Sequence, residues 1–182
     1  MAQHVAAYLK GTKSAHLHFK KSKSPLKIEG YTNADWGSDH NDCKSTTRYT
    51  FLVNGCPVSW SSKQQVTVAL FSTKAKYMSV TQVTKEAIWL RRLFADMGHP
   101  QKGATVIHED NHRCIGLTKN PIHHAQTKHI NIQHHFVQEH VESGEVVLKE
   151  IPTAQQLADV LTKALTKDKF NALADKLVKG LF

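Results

Sequence analysis

The period of the apolar positions changes along the chain. Val5 to Leu9 carries a short helical pattern ended by Gly11, and Ala15, Leu17 and Phe19 then alternate with Ser14, His16, His18 and Lys20, as in a half-buried strand. After a basic, serine-containing turn from Lys20 to Pro25, extended runs are expected over Lys27 to Trp36, Thr47 to Val53 and Val58 to Ser62. Asn54-Gly55 separates the last two and readily accepts the positive φ angles of a two-residue hairpin, so this half reads as an antiparallel meander.

From Ser72 to Met97 there is neither Pro nor Gly, and Ala75, Met78, Val83, Ala87, Leu90 and Phe94 fall at helical spacing, which predicts one long helix stopped by Gly98 and Pro100. Thr105 to Ile107 reads as a short buried strand running into Glu109 and Asp110, and Asn111 is placed to cap a short helix through Leu117 that Asn120-Pro121 breaks. A His-rich helix is expected over Lys128 to Glu142, closed by Gly144, and a strand over Val146 to Ile151, bounded by Pro152. Thr153 is expected to cap a helix over Ala154 to Leu165, and Asp168 to Leu181 spaces Phe170, Leu173, Leu177 and Leu181 as a last amphipathic helix. This order predicts an α/β chain with a mixed sheet covered by helices.

A length of 182 residues suits one domain with a real core. No apolar run approaches the roughly 18 residues of a membrane span, which argues against a membrane-spanning class. The opening residues MAQHVAAYLKG show neither a basic leader followed by a long apolar run nor a small-residue cleavage site, so an intracellular setting, cytoplasmic or nuclear, is expected rather than secretion. Lys plus Arg number 24 against 15 Asp plus Glu, and the resulting formal charge of +9 favours a polyanionic partner such as nucleic acid, although solubilising surface charge accounts for the same excess. Cys43, Cys56 and Cys114 are far apart and without CxxC spacing, so free buried thiols are expected rather than disulfides or a zinc knuckle. His123-His124, His129, His134-His135 and His140 do not fall at the four-residue spacing that presents two ligands on one helical face, and surface or hydrogen-bonding roles are expected for them. Trp36, Trp60 and Trp89, with apolar neighbours, are expected in the core.

A set of short motifs runs in order from Tyr8-Leu-Lys-Gly-Thr12 to about Phe170: Gly30-Tyr-Thr-Asn-Ala-Asp-Trp36, Lys44-Ser-Thr-Thr47, Val58-Ser-Trp-Ser-Ser-Lys63, Thr67-Val-Ala-Leu70, Lys85-Glu-Ala-Ile-Trp-Leu-Arg91, Glu109-Asp-Asn111, Thr127-Lys-His-Ile130, His135-Phe136 and Gln156-Leu-Ala-Asp-Val-Leu-Thr-Lys163. Together they resemble the ribonuclease H region of copia-type retrotransposon Pol polyproteins. The resemblance implies a ribonuclease H-like fold, a five-stranded mixed sheet with flanking α-helices. It divides the chain into a connecting-segment remnant (1–25), the ribonuclease H-like domain (26–166) and a C-terminal helical tail (167–182). It also implies hydrolysis of the RNA strand of an RNA–DNA hybrid by two Mg²⁺ or Mn²⁺ ions, held about 3.5–4 Å apart by clustered carboxylates.

Carried over position by position, the four family carboxylates fall at Asn33, Lys76, Asp110 and Asp159. The usual Asp-Ala-Asp-Trp is Asn33-Ala34-Asp35-Trp36 here, and the usual Ser-Thr-Glu-Ala-Glu-Tyr is Ser72-Thr73-Lys74-Ala75-Lys76-Tyr77. Asp110 and Asp159 are thus half of a metal-binding constellation. Four carboxylates would bring four negative charges to the site, whereas this set sums to one, and the Lys76 ammonium has no acceptor to offer a cation. With each charge–charge contribution near 4 Å worth about 4 kcal/mol at an effective dielectric of about 20, two divalent ions are not expected to bind tightly.

Hybrid cleavage is therefore expected to be lost, with nucleic-acid binding the most that is retained. Lys76 is expected to pair with Asp110 or Asp159 and turn the site into a salt-bridged structural one. Asp35, on the same strand face as Asn33, is the candidate rescue ligand, displaced by about 6–7 Å along the strand. Candidate hybrid contacts are Lys44, Ser45, Thr46 and Lys63 near the hairpin ends, with Asn111, Lys119 and Lys128 beside the site, where they would give salt-dependent affinity with little sequence choice. The resemblance also points to His129 as an aid to product departure. Two other readings stand beside this one: a domesticated module that binds a host protein, and an active nuclease with a rearranged metal site.

Overall fold

The structure, a computed structural model, describes residues 2–19, 21, 25–37, 42–119, 128–161 and 165–179. Asn54 and Gly55 take positive φ angles of 49° and 83°, and the strands they join, β2 (Thr46–Val53) and β3 (Cys56–Gln64), pair antiparallel. β1 (Ile28–Ala34) pairs antiparallel with β2 and parallel with β4 (Thr105–Glu109), which pairs parallel with β5 (Val146–Glu150). The sheet is thus five-stranded and mixed, in the order β3-β2-β1-β4-β5. Gly30 permits close packing inside it, since a Cβ at that position would lie 2.7 Å from Cε1 of the fully buried Phe51 on β2.

The long helix α2 (Ser72–Asp96) covers one face of the sheet and buries Ala75, Val80, Val83, Ala87 and Leu90. It ends as its sequence anticipates: Gly98 has φ 81°, its N–H donates to Ala95 O (2.9 Å), and His99 N–H donates to Phe94 O (2.7 Å), the paired closure that a left-handed glycine permits. Two further helices, α3 (His112–Lys119) and α4 (Lys128–Glu142), join this side, where Cys114, Ile115 and Val137 enter a core with Ile28, Phe51, Ile107, Val146 and Leu148. Removing each such aliphatic or aromatic side chain from water contributes roughly 1.5–3 kcal/mol. On the other face Leu52 packs with Leu157 and with Leu173 of the last helix, α5 (Lys167–Leu177). At the amino end stands α1 (Ala2–Gly11), with Val5, Tyr8 and Leu9 exposed. Among the described residues no helix is long and apolar enough to cross a membrane.

Several expectations are corrected. Ala15 to Phe19 is not a strand: only His16 bridges to Lys179, and without a continuous neighbour Leu17 and Phe19 stay exposed. The expected helix over Ala154 to Leu165 is instead two short 3-10 helices, Thr153–Gln155 and Leu157–Leu161, with 162–164 outside the described residues. Gln156 causes the break: it is fully buried, its Nε2 donates to Thr32 O (3.0 Å) and His108 O (3.3 Å), and its Oε1 accepts from Ala158 N (3.3 Å), so the chain turns about this side chain. Thr153 does not cap; its hydroxyl donates to Asp110 Oδ2 (3.2 Å). The three tryptophans are 55–59% exposed rather than buried, Trp60 on the edge strand β3 and Trp89 on the outer side of α2. Cys56 and Cys114 are buried thiols, but Cys43 is exposed.

Candidate functional site

β1 and β4 are parallel neighbours in a register that sets Tyr31 beside His108, so their carboxyl-terminal ends emerge side by side. Asn33 stands at one end, Glu109 and Asp110 at the other, and the first turns of α2 bring Lys76 over both. Lys76 Nζ donates to Asn33 Oδ1 (2.8 Å), Glu109 Oε1 (3.2 Å) and Asp110 Oδ1. An ammonium has three hydrogens, and all three are matched. Its side chain is only 15% exposed, and those of Glu109 and Asp110 are 0% and 9% exposed.

Asn33 links this ammonium to a second cluster. While its Oδ1 accepts from Lys76 and from Ala34 N (2.8 Å), its Nδ2 donates to Asp159 Oδ1 (2.6 Å). Asp159 comes from the second 3-10 helix, is fully buried, and pairs through Oδ2 with Lys169 Nζ of α5 (2.8 Å). The four carried-over positions are therefore contiguous: Lys76 holds Asp110, Asn33 bridges Lys76 to Asp159, and Lys169 neutralises Asp159. Lys76 itself pairs with Glu109 and Asp110, not with Asp159.

Glu109, part of a matched motif but given no role there, and Lys169 are participants outside the four carried-over positions. Glu109 carried a signal, since period two along β4 places it on the inward face with Thr105 and Ile107. Its Oε1 accepts from Asp110 N and Asn111 N (3.0 Å each) as well as from Lys76, while its Oε2 is buried without a hydrogen-bond partner. Burial drives the Glu109 carboxyl up to about 8, with the Lys76 ammonium opposing. Burial also pushes Asp110 up, but the hydrogen bond and charge of Lys76 outweigh it and hold Asp110 below the ordinary aspartate range. Burial pulls Lys76 down, yet the two carboxylates more than reverse it and raise its pKa. The ammonium is thus shared between one firmly ionised carboxylate and one whose proton is held more tightly.

Asp35 is committed elsewhere. Its Oδ2 receives Arg48 Nη1 (2.6 Å) and its Oδ1 receives Thr46 N–H (2.6 Å), a pair that joins the end of β1 to β2. Ser45 is fully buried, accepting from Gly37 N (3.1 Å), and this corrects its expected role as a surface contact. Thr46 is part-buried, Lys44 pairs with Asp42 (2.9 Å), and Lys63 is exposed. Asn111 caps α3 as expected, its Oδ1 accepting from Cys114 N (3.0 Å). The side chains of Lys119, Lys128 and His129 lie outside the described residues. His134 lies over Tyr77 (ring centroids 5.4 Å apart) and bonds Leu117 O (2.8 Å), while His140 pairs with Glu145 (2.6 Å). Trp36, just beyond β1, donates to Ala69 O (2.9 Å), on a segment whose Val66, Leu70 and Phe71 are exposed.

The donor set does not fit a dinuclear Mg²⁺ or Mn²⁺ centre. Hard divalent ions take oxygen ligands, and here an ammonium lies among the oxygens of Asn33, Glu109 and Asp110 while a second lies on Asp159. Among the described residues no group of three or more His, Cys, Asp and Glu side chains is arranged to hold a metal ion.

No family model matches the chain. It is 40% identical over 166 residues to the retrovirus-related Pol polyprotein from transposon TNT 1-94 of Nicotiana tabacum, a match covering 91% of this chain and 12% of that protein. It is 36% identical over 173 residues to the retrovirus-related Pol polyprotein from transposon RE1 of Arabidopsis thaliana, covering 95% of this chain and 12% of that protein. The chain therefore spans about an eighth of the length of these relatives. Among solved structures, LC11-RNase H1 in complex with an RNA/DNA hybrid superposes with a TM-score of 0.52 at 13% identity, covering 73% of this chain and 91% of that one, a likeness of fold. With the order β3-β2-β1-β4-β5 and the aligned Pol sequences agreeing, the chain has the ribonuclease H-like fold and is homologous, over nearly its whole length, to one part of the copia-type retrotransposon Pol polyproteins.

Proposed function

We propose that this domain is a catalytically silent ribonuclease H relative that binds RNA–DNA hybrid through its backbone and no longer cuts it. The observation that carries the reading is the Lys76 ammonium saturated by Asn33, Glu109 and Asp110. Two-ion phosphodiester hydrolysis needs clustered anionic oxygens free to hold both ions, and here those of Asp110 and Asp159 are held by lysines. A nuclease with a rearranged site draws no support from Asp35, which Arg48 and Thr46 already engage. The hybrid carried by LC11-RNase H1 and the formal charge of +9 support a polyanionic ligand for this chain.

The test is cleavage of a labelled RNA–DNA hybrid with Mg²⁺ and with Mn²⁺, together with hybrid binding at two salt concentrations. The expected result is no metal-dependent cutting, and binding that weakens steeply with salt. Efficient cutting that disappears in Asp110→Asn would overturn the proposal. One observation favours a second reading, a protein-interaction module: Val66, Leu70 and Phe71 are exposed on the segment whose Ala69 O accepts from the exposed Trp36. Salt-insensitive association with a protein, without hybrid binding, would establish that reading instead.

A further inference from the structure

Resting on the hybrid-binding reading above, we infer that nucleic acid engages the carboxyl-terminal end of β1 and β4 without any divalent ion, because the two lysines already perform the neutralisation that bound ions would otherwise supply. Asp110 is matched by Lys76 and Asp159 by Lys169 (2.8 Å), while Glu109 is fully buried beneath them with its Oε1 under two backbone N–H groups and the Lys76 ammonium. The carboxylate charge just beneath this surface, which would repel a phosphodiester backbone, is thereby cancelled side chain by side chain. Lys76 does this without touching the ligand, since all three of its hydrogens are spent inside the protein. Lys169 is more open, its side chain 31% exposed, and is the ammonium of the pair that a phosphate can reach.

A site of uncompensated carboxylates repels a polyanion until cations fill it, so its affinity rises when the metal is added. A site neutralised from within has nothing to gain, and added Mg²⁺ acts on it only as a competing counterion.

The experiment measures binding of an uncleavable probe, a short RNA–DNA hybrid whose RNA strand carries 2′-O-methyl groups, by fluorescence anisotropy in EDTA and in Mg²⁺ at matched ionic strength, on the full chain. Its affinity in EDTA is expected to equal or exceed that in Mg²⁺. In the double variant Asn33→Asp, Lys76→Glu, affinity in EDTA should fall about tenfold or more and recover with Mg²⁺ or Mn²⁺. Lys169→Gln, which uncovers Asp159 and removes one ammonium within reach of phosphate, should lower affinity in EDTA severalfold and regain part of it in Mg²⁺, a recovery that loss of the phosphate contact alone does not give; it keeps the test alive if the double variant does not fold. Binding by the unaltered chain that requires Mg²⁺ would overturn the inference and leave hybrid binding standing. Absence of hybrid binding under both conditions would overturn the hybrid-binding reading and this inference together.

Discussion

If Lys76 holds the cluster of Asn33, Glu109 and Asp110 together by charge, replacing it with the similarly long but uncharged Met should be costly in a way that depends on pH. With Glu109 ionised, the Coulomb attraction at its 3.2 Å separation is about 5 kcal/mol at an effective dielectric of about 20, before the cost of taking the ammonium out of water is subtracted. Removing one member of a buried ion pair typically costs about 3–5 kcal/mol, because the remaining charge is left buried and unpaired. At neutral pH the low end applies, since Glu109, raised to about 8, is largely protonated and Asp110 is the ionised partner. A loss of about 3 kcal/mol corresponds to a fall in Tm of roughly 6–12 °C for a domain of this size.

The direction with pH follows from proton linkage. In the wild type Glu109 releases its proton near pH 8; without Lys76 it releases it only at higher pH, so between about pH 7 and 9 the folded variant holds more protons and loses stability faster than the wild type. Toward acid, Asp110 protonates in both chains, its depressed pKa ceases to favour the wild type, and the gap closes. Urea denaturation at about pH 7 and 9, and well below pH 4, measures this. A loss at pH 7 below about 1 kcal/mol, or a gap that narrows as pH rises, would refute the role given to Lys76. Adding Asp110→Asn to Lys76→Met should restore part of the stability, an outcome that simple loss of packing does not produce.

Three further outcomes follow from the same contacts. Asp35→Asn should lower stability by about 2–3 kcal/mol in chemical denaturation by stranding the Arg48 guanidinium, whose side chain is 10% exposed, and should leave any thermal shift on adding Mn²⁺ unchanged; a lost Mn²⁺ response would instead mark Asp35 as a ligand. Asn33→Asp alone should destabilise by about 1–3 kcal/mol rather than restore function, since it exchanges the 2.6 Å hydrogen bond to Asp159 for a contact between two carboxyl groups; a more stable variant would contradict this. Gly30→Ala should cost about 1–3 kcal/mol, because the new methyl meets the Phe51 ring at 2.7 Å, and a double-mutant cycle with Phe51→Leu should show the two positions coupled.

Where a signal was local and periodic, the chain could be read directly. The Asn54-Gly55 hairpin, the long helix closed at Gly98 and the Asn111 cap each depend on a few adjacent residues, and each stands where the pattern put it. The tryptophans failed because residue type was weighed above position: the helical stripe through Ala87, Leu90 and Phe94 already leaves Trp89 off the buried side. Ala154 to Leu165 failed for a different reason, since Gln156 takes its partners from Thr32 and His108, more than a hundred and about fifty residues away, and no local propensity reports such bonds.

The site shows the same division, and it bears on how the two substitutions belong together. Motif matching located Asn33, Lys76, Asp110 and Asp159, but the chemistry depends on which atom faces which. Asn33 presents its oxygen to Lys76 and its amide hydrogens to Asp159. An aspartate there would suit Lys76 and repel Asp159; a glutamate at 76 would leave Asn33 Oδ1, Glu109 and Asp110 without their shared donor. Each substitution is thus favourable in the presence of the other, because an amide is the side chain that can accept from an ammonium and donate to a carboxylate at once. Lys169 completes the arrangement from α5, a helix whose sequence position gives no hint of the contact, since the 3-10 turn carrying Asp159 sets the angle between them. The network therefore has the form of a compensated polar cluster, with Glu109 Oε2 as its one recorded unmet acceptor among the described residues, and such a cluster preserves the fold at a place where bare carboxylates without cations would oppose it.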